Sequence, residues 1–198
     1  ILEPAPTIAY LDESLVLTRG EAMPAAVHAI FGGGAVASFT VTPELPDGLN
    51  FNNGTIFGTP NVNSTLVQYN ITASNNGGSD FFLLNITILE PVAILDTELA
   101  YFELIRSQDY MNLTLNNTGG MVATWEVEPF LPAGLIFGNG TITGIPSVNA
   151  SLASYTIWAN NTGGSDSIII NIRILEPAAS FAYRQTDYIA VNGQGNLY

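Results

Sequence analysis

Apolar and polar residues alternate with a period of two along most of this chain. The clearest examples are the segments 66–75 and 80–89, in which every second residue is apolar. Such alternation is typical of strands with one buried face. Clusters of glycine, proline and asparagine interrupt it at intervals of roughly 8–12 residues, which is the spacing of short strands in a β-sandwich. No segment keeps the 3.6-residue period of a helix, so the pattern predicts an all-β fold.

Short motifs recur along the chain at a nearly constant distance. ILEP occurs three times, at offsets of 87 and then 86 residues, at positions 1–4, 88–91 and 174–177. Three more motifs recur at an offset of 86: LPDGL at 45–49 returns as LPAGL at 131–135, GTIFGTP at 54–60 as GTITGIP at 140–146, and NNGGSD at 75–80 as NTGGSD at 161–166. A fixed period of this size indicates tandem copies of one small domain.

The period divides the chain into two domains, 1–87 and 88–173, followed by the segment 174–198. Because this last segment aligns with the opening strands of the repeat, we expect it to be an incomplete third repeat or a strand segment that joins another subunit. The first copy predicts strands near 7–11, 14–19, 35–42, 48–52, 54–58, 66–75 and 80–89, with equivalents 86 residues on.

The run SFTVTPELPDGLNFNNGTIFGTP, followed by VQYNITASNNGGSD, resembles the Ig-like (cadherin-like) tandem repeats of bacterial and archaeal surface proteins. The pattern of those repeats is Y-x-V-x-P-x-LP-x-GL, then G-T-I-x-G-TP, then Y-x-V-x-A-x-N-x-GGS, and both copies match it. The resemblance implies two tandem Ig-like β-sandwich domains in an extracellular or cell-surface setting. It implies no enzymatic activity.

The net negative charge of the chain excludes some classes of binding partner. The chain has 17 acidic and four basic residues, for a net charge of −13, which argues against nucleic acid or anionic lipid because both require cationic contacts. Only 11% of residues are charged while 47% are hydrophobic, so such a surface is poorly protected against association. We therefore expect glycans or further copies of the same chain to cover part of it. No apolar run is long enough to predict membrane insertion within this segment.

Large aromatic residues stand at equivalent positions of the two copies. Phe39 and Trp125 fall on the apolar face of one predicted strand, and we expect both in the core. Tyr69 and Tyr155 lie where Ig-like folds place a tyrosine whose hydroxyl bonds to the backbone. His28 is the single histidine, so the sequence lacks a repeated base for Ser–His–Asp chemistry.

Asparagine followed by x-Ser/Thr is abundant, and each such position is a candidate for N-glycosylation. Asn53 and Asn139 also belong to Asn-Gly pairs that predict tight hairpin turns. Asn63 and Asn149 are the preferred candidates because both copies keep the motif in a predicted loop. The further candidates are Asn70, Asn85, Asn112, Asn116 and Asn160. The alternative is that an Asn- and Thr-rich composition produces these motifs by chance.

Two carboxylates suggest a cation site between the domains. In an Ig-like topology, Asp166 would lie close to Glu90 at the junction of domains 1 and 2, and calcium binds oxygen ligands of this kind. The alternative interpretation is solvated acids, or acids that hydrogen-bond the ends of strands. Calcium is the one cofactor that we consider, and otherwise we expect none.

Apolar residues also fall on the nominally exposed face of the last strand of each copy, namely Phe81, Leu83 and Ile169. We interpret that strand as an edge strand, which can pair with or pack against another domain or chain. The segment 178–191 alternates like strands, so we expect a neighbouring copy to contact Tyr183, Tyr188 and Ile189.

These features predict a non-enzymatic extracellular structural protein, a subunit or segment of a surface filament or surface array that assembles head-to-tail. Self-association is the expected partnership, with glycans as a further partner. One alternative is an adhesin or carbohydrate-binding stalk module, which an exposed aromatic platform would favour. Another is a spacer from a secreted hydrolase.

Overall fold

The computed structural model describes residues 3–180, and every regular element in that range is a β-strand. The first repeat contains β1 (Pro6–Ala9), β2 (Ser14–Thr18), β3 (Val27–His28), β4 (Ile30–Gly33), β5 (Ser38–Thr42), β6 (Leu49–Asn52), β7 (Thr55–Gly58), β8 (Ser64–Asn75) and β9 (Gly78–Leu89). The second repeat contains β10 (Leu95–Asp96), β11 (Tyr101–Ile105), β12 (Met111–Thr114), β13 (Asn116–Asn117), β14 (Thr124–Glu128), β15 (Leu135–Gly138), β16 (Thr141–Gly144), β17 (Ala150–Asn161) and β18 (Gly164–Leu175). Within 3–180 no helix has the length and apolar character needed to cross a membrane.

The two repeats share one strand order. In the first, β2-β9-β8-β5 form one sheet, β3-β7-β6 form a second, and β1 pairs with β4. In the second, the corresponding sheets are β11-β18-β17-β14, β12-β16-β15 and β10-β13. The pairs β2–β9 and β11–β18 are parallel, and the other strand pairs are antiparallel. Both repeats are therefore β-sandwiches of the same topology.

Each repeat has its own hydrophobic core between its two larger sheets. Ile56 on β7 and Ile71 on β8 meet there and are fully buried, and Ile142 and Ile157 are their buried equivalents in the second repeat. Fully burying one such side chain stabilises the fold by about 1.5–3 kcal/mol. Because the inward-facing residues recur at equivalent positions, the two repeats build equivalent cores.

The predicted strands are present in both copies, and the two longest exceed their predicted length. β8 and β9 each comprise 12 residues, and a two-residue turn joins them. Asn53 and Asn139 adopt positive φ of 47° and 48°, which confirms the tight turns predicted for the two Asn-Gly pairs.

Four strands were not predicted, namely β3, β4, β12 and β13. β3 and β13 have two residues each, so they are too short to display any period. All residues of β4 are exposed, which leaves no apolar face to detect. Only β12 alternates, with Met111 and Leu113 buried, and four residues hold too little pattern to distinguish it from chance.

Phe39 and Trp125 occupy equivalent positions, but neither is fully buried. They lie opposite Ala73 and Ala159 and pack against the two cores while remaining half-buried. The reason is that β5 and β14 are the outermost strands of their sheets. The expectation that both rings are core residues is thus corrected to partial burial at the rim of each core.

A different tyrosine makes the predicted hydrogen bond to the backbone. Tyr69 and Tyr155 are buried, and they lie within β8 and β17 rather than at their starts. It is the Tyr10 hydroxyl that donates to the backbone oxygen of Gly54, at 2.8 Å. Burial raises the pKa of Tyr10 to about 12, so the hydroxyl remains a donor at neutral pH.

The separate cores lead to a prediction about unfolding. Ile71→Ala and Ile157→Ala each remove a fully buried side chain and should cost about 2–5 kcal/mol of unfolding free energy. Both tryptophans of the chain, Trp125 and Trp158, lie in the second repeat. In urea titrations, the unfolding transition followed by tryptophan fluorescence should therefore shift to lower urea in Ile157→Ala only. The transition followed by circular dichroism should shift in both variants. An equal shift of the fluorescence transition by Ile71→Ala would contradict independent cores.

Candidate functional site at the junction between repeats

An arginine–glutamate pair lies where the first repeat meets the second. Parallel pairing of β2 with β9 brings the ends of both strands together, and the Arg19 amide donates to the Leu89 carbonyl at 2.8 Å. Beyond that bond, Arg19 Nε donates to Glu90 Oε1 at 2.9 Å and Nη2 donates to Oε2 at 2.7 Å. This two-pronged geometry is the strong form of an arginine–carboxylate contact.

The second repeat binds the same segment from the other side. The Glu90 amide donates to Thr162 Oγ1 at 2.9 Å, and Asn161 Nδ2 donates to the Pro91 carbonyl at 2.7 Å. Gly163 completes the contact, because a Cβ there would collide with the carbonyl oxygen of Glu90. We call Arg19, Glu90, Pro91, Asn161 and Thr162 the junction clamp.

The halves of the clamp recur at the other repeat boundaries. Arg106 Nη2 donates to Glu176 Oε2 at 2.7 Å, as Arg19 does to Glu90. Asn75 Nδ2 donates to the Pro4 carbonyl at 2.8 Å, as Asn161 does to Pro91. The ILEP motif thus supplies the glutamate that binds the repeat before it and the proline carbonyl that binds the repeat after it.

Sequence reasoning missed this clamp, although a signal was available. Two of the four arginines, Arg19 and Arg106, are separated by one repeat length, as are Glu90 and Glu176. The sequence alone does not place an arginine beside a glutamate 71 residues away. The parallel pairing of β2 with β9 does so, and no local sequence motif encodes that pairing.

Hydrogen bonding from Arg19 lowers the pKa of Glu90. Desolvation acts in the opposite direction, because only 7% of the Glu90 surface is exposed. The attraction of the Arg19 charge and a backbone hydrogen bond from Met121 add to the lowering. Glu90 is therefore ionised at neutral pH and serves as the anion of the clamp.

The two carboxylates considered for calcium have separate hydrogen-bond partners. Glu90 pairs with Arg19, whereas Asp166 Oδ2 accepts from the Leu95 amide at 2.8 Å. Asp80 does the same in the first repeat, accepting from the Ile8 amide at 3.0 Å. Residues 3–180 contain no group of three or more acidic or histidine side chains arranged to hold a metal ion. The calcium site stays a prediction.

Most candidate glycosylation positions are exposed. Asn63 and Asn149 lie in the loops before β8 and β17, and both are exposed. Asn70, Asn112 and Asn116 are exposed on β8, β12 and β13. A sugar could therefore be accommodated at all five, and occupancy stays a prediction.

Two further candidates are partly covered. Asn85 is half-buried and its Oδ1 accepts from Gln68 Nε2 at 3.3 Å. Asn160 is also half-buried, and its Nδ2 donates to Glu126 Oε1 at 3.2 Å. A glycan attaches to the amide nitrogen, so at Asn160 it would compete with the bond that Nδ2 donates, whereas at Asn85 the accepting oxygen stays unmodified.

The exposed apolar residues of the last strand lie on a sheet face, not on an edge. Phe81, Leu83 and Ile169 are 58%, 41% and 55% exposed. The strands that carry them, β9 and β18, are each paired on both sides, so the interpretation as edge strands is wrong. β2 and β11 pair with the edges of β9 and β18 that the β8–β9 and β17–β18 hairpins leave open. Another domain or chain could therefore contact Phe81, Leu83 or Ile169 only by packing on the sheet face.

An aromatic cleft follows the outermost strand of the second repeat. It has a volume of about 520 Å³ and is lined by Trp125, Glu126, Val127, Glu128, Pro129, Phe130, Phe137 and Trp158. Phe130 is 95% exposed. Sequence reasoning found no exposed aromatic platform, because it treated Trp125 only as a core residue.

His28 and three tail residues are the remaining sequence candidates. His28 is exposed, and its Nδ1 lies 3.1 Å from Thr55 Oγ1. Tyr183, Tyr188 and Ile189, the expected contacts of the tail, lie outside the described residues. They stay predictions.

The clamp predicts that removing the Glu90 charge loosens the junction. Glu90→Gln loses the ion pair with Arg19 and should broaden the distribution of inter-repeat distances measured by small-angle X-ray scattering. Glu44→Gln, at an exposed acid outside the salt bridges, is the matched control. Identical scattering from both variants and the unmodified chain would contradict the role of the clamp.

The same pair predicts the response to acid. The folded-state pKa of Glu90 lies below its ordinary value, which is about 4.3 for a free glutamate, so its contribution to stability is complete above that ordinary value. The contribution is lost as the pH falls through the lowered folded-state pKa. The unmodified chain should therefore acquire the scattering profile of Glu90→Gln on acidification, while the variant should change less. An equal response of both chains would assign the acid effect to other carboxylates.

Comparison with known proteins supports the fold. Residues 5–88 match the family model described as "Putative Ig domain", and no curated protein sequence gives a significant match. The four N-terminal Ig domains of Dscam1 isoform 9.44 align over 88% of this chain and 46% of theirs, at 15% identity and a TM-score of 0.54.

Two further structures align over most of the chain with lower TM-scores. The titin domains Z1Z2, solved in complex with telethonin, align over 90% of this chain and 100% of theirs, at 13% identity and a TM-score of 0.43. Human protocadherin-24 EC1–2 aligns over 89% of this chain and 100% of its own, at 10% identity and a TM-score of 0.40. The first repeat matches the Putative Ig domain family, and the chain is built from two tandem Ig-like β-sandwich repeats.

Proposed function

We propose that this protein is a non-enzymatic structural subunit of an extracellular filament or surface array, in which Ig-like repeats join head-to-tail. The observation that carries the proposal is the junction clamp. Its two halves recur at successive repeat boundaries, so the chain encodes one way of joining a repeat to the next.

The clamp suits a protein that spans distance under load. Relative motion is the default for domains joined by a small polar interface. Here the linking segment is bound from both sides, by a two-pronged ion pair to the first repeat and by side-chain hydrogen bonds from the second. Each contact restricts bending between the two repeats. A filament needs such stiffness, and a freely hinged linker does not provide it.

The surface favours contact with other copies. Only 11% of residues are charged, and apolar area is exposed on the sheet face that carries Phe81 and Leu83 in the first repeat and on the face that carries Ile169 in the second. Exposed apolar patches mark interaction sites. Packing of either face against another copy would remove its apolar area from water.

The extracellular setting is inferred from the repeat type and from the sequence. Ig-like and cadherin-like repeats are characteristic of surface proteins, and exposed Asn63 and Asn149 keep glycosylation motifs in loops. An adhesin or carbohydrate-binding role is the second candidate, and the aromatic cleft is the observation that favours it.

Deleting residues 178–198 tests the proposed assembly. The truncated chain should lose the filaments or arrays that electron microscopy shows for the full chain, because the segment that joins the next copy is gone. Circular dichroism should report that both repeats remain folded. If the truncated chain assembles as well as the full chain, the tail-dependent mechanism is wrong.

Glycan placement offers an independent test of the surface setting. In a glycosylating host, Asn63 and Asn149 should carry sugar before Asn53 and Asn139. The turn pair is held at positive φ by the hairpin backbone, whereas the loop pair is exposed in irregular structure. Glycopeptide mass spectrometry measures the order, and occupied turn sites beside bare loop sites would overturn it.

A further inference from the structure

Three residues that line the aromatic cleft of the second repeat are replaced by threonine in the first. Glu126 lies opposite Trp158 in the strand pairing, and the equivalent pair in the first repeat is Thr40 opposite Thr72. Glu128 likewise replaces Thr42, the residue 86 positions earlier. The scaffold therefore accepts threonine at all three positions, and the fold does not require two carboxylates and an indole there.

The arrangement of these side chains suits a cationic group. Residues directly opposite in an antiparallel pair have Cβ atoms about 4.5–5.5 Å apart, so the Glu126 carboxylate and the Trp158 ring are neighbours. Glu128 lies on the same strand face, two residues on. A guanidinium can stack on an indole while donating to an adjacent carboxylate. Nearby, the 95% exposed Phe130 ring extends the apolar surface.

No described cation neutralises this cleft. Three of the four arginines each pair with another glutamate, in the pairs Arg19–Glu90, Arg106–Glu176 and Arg173–Glu103. Glu126 has a hydrogen bond from the Asn160 amide, which does not compensate its charge. The chain contains no lysine, and the fourth arginine is Arg184.

Charge complementarity thus selects Arg184, in the tail segment 181–198, as the group that occupies the cleft. Arg184 is the only basic residue of that segment, which has one acid, Asp187, and it follows Tyr183 directly, so a guanidinium and an aromatic side chain are adjacent in the sequence. We propose that the aromatic cleft of one copy binds Arg184 in the tail of a second copy. This inference rests on the proposed head-to-tail assembly and names the surface that receives the tail.

Two full-length variants with complementary defects test the contact. The cleft variant E126T/E128T/W158T carries the residues of the first repeat, and the tail variant is R184E. Each alone should remain monomeric, because one side of the contact is disabled. Their equimolar mixture should form dimers that grow no further, since only one intact cleft and one intact tail can meet. Light scattering after size exclusion measures the masses.

A charge-matched control separates the cleft from general electrostatics. Asp12→Asn with Glu44→Gln removes two negative charges from exposed positions outside the cleft, and this variant should assemble like the unmodified chain. Assembly of the cleft variant at the unmodified level would overturn the proposal. The proposal would also be overturned if the mixture of cleft and tail variants stayed monomeric while the unmodified chain assembled.

If the unmodified chain does not assemble, the proposed function is refuted, but binding of Arg184 in the cleft can still be tested. Trp125 and Trp158 are the two tryptophans of the chain and both line the cleft, so their fluorescence reports its occupancy. A synthetic peptide of residues 178–198, titrated into the R184E chain, should give a saturable change. The peptide with Arg184→Glu should bind about tenfold more weakly or worse, because the carboxylates then face a like charge.

Two outcomes of the titration would overturn the proposal. Equal binding of both peptides, or no fluorescence change with either, would exclude Arg184 as the ligand. A response to neutral oligosaccharides without a response to the peptide would assign the cleft to carbohydrate recognition instead.

Discussion

The two-pronged ion pair between Arg19 and Glu90 is the contact on which the relation between the repeats depends. It exists because β2 runs parallel to β9, so that both strands end at the same side of the sheet. The glutamate backbone is held at the same time by Thr162 of the following repeat. A single residue therefore belongs to the hydrogen bonding of both repeats, and the position of each is defined relative to it.

The scarcity of basic residues gives each arginine a defined role. In the part of the chain that the structure describes, every arginine pairs with a glutamate, and two of the three pairs close the end of a repeat. The remaining surface is covered by amides, hydroxyls and apolar side chains rather than by mixed charges.

The two repeats preserve their interiors and differ on their outer surfaces. Ile56, Ile71, Ile142 and Ile157 hold equivalent buried positions, whereas Thr72 in one copy is Trp158 in the other. A core position is restricted by close packing against neighbours on several sides. An outward position on the same strand is restricted far less, and that is where the second repeat differs in chemistry.

The sequence by itself determined the strand pattern, the period, the Asn-Gly turns and the inward-facing residues, because alternation and turn chemistry are local properties of the chain. It could not determine the partner of Arg19, the half-buried state of Trp125, or the paired edges of β9. Those depend on which strands become neighbours, and parallel pairing joins residues about 70 positions apart. The aromatic cleft likewise exists only after β14 and β17 pair and bring Glu126 beside Trp158.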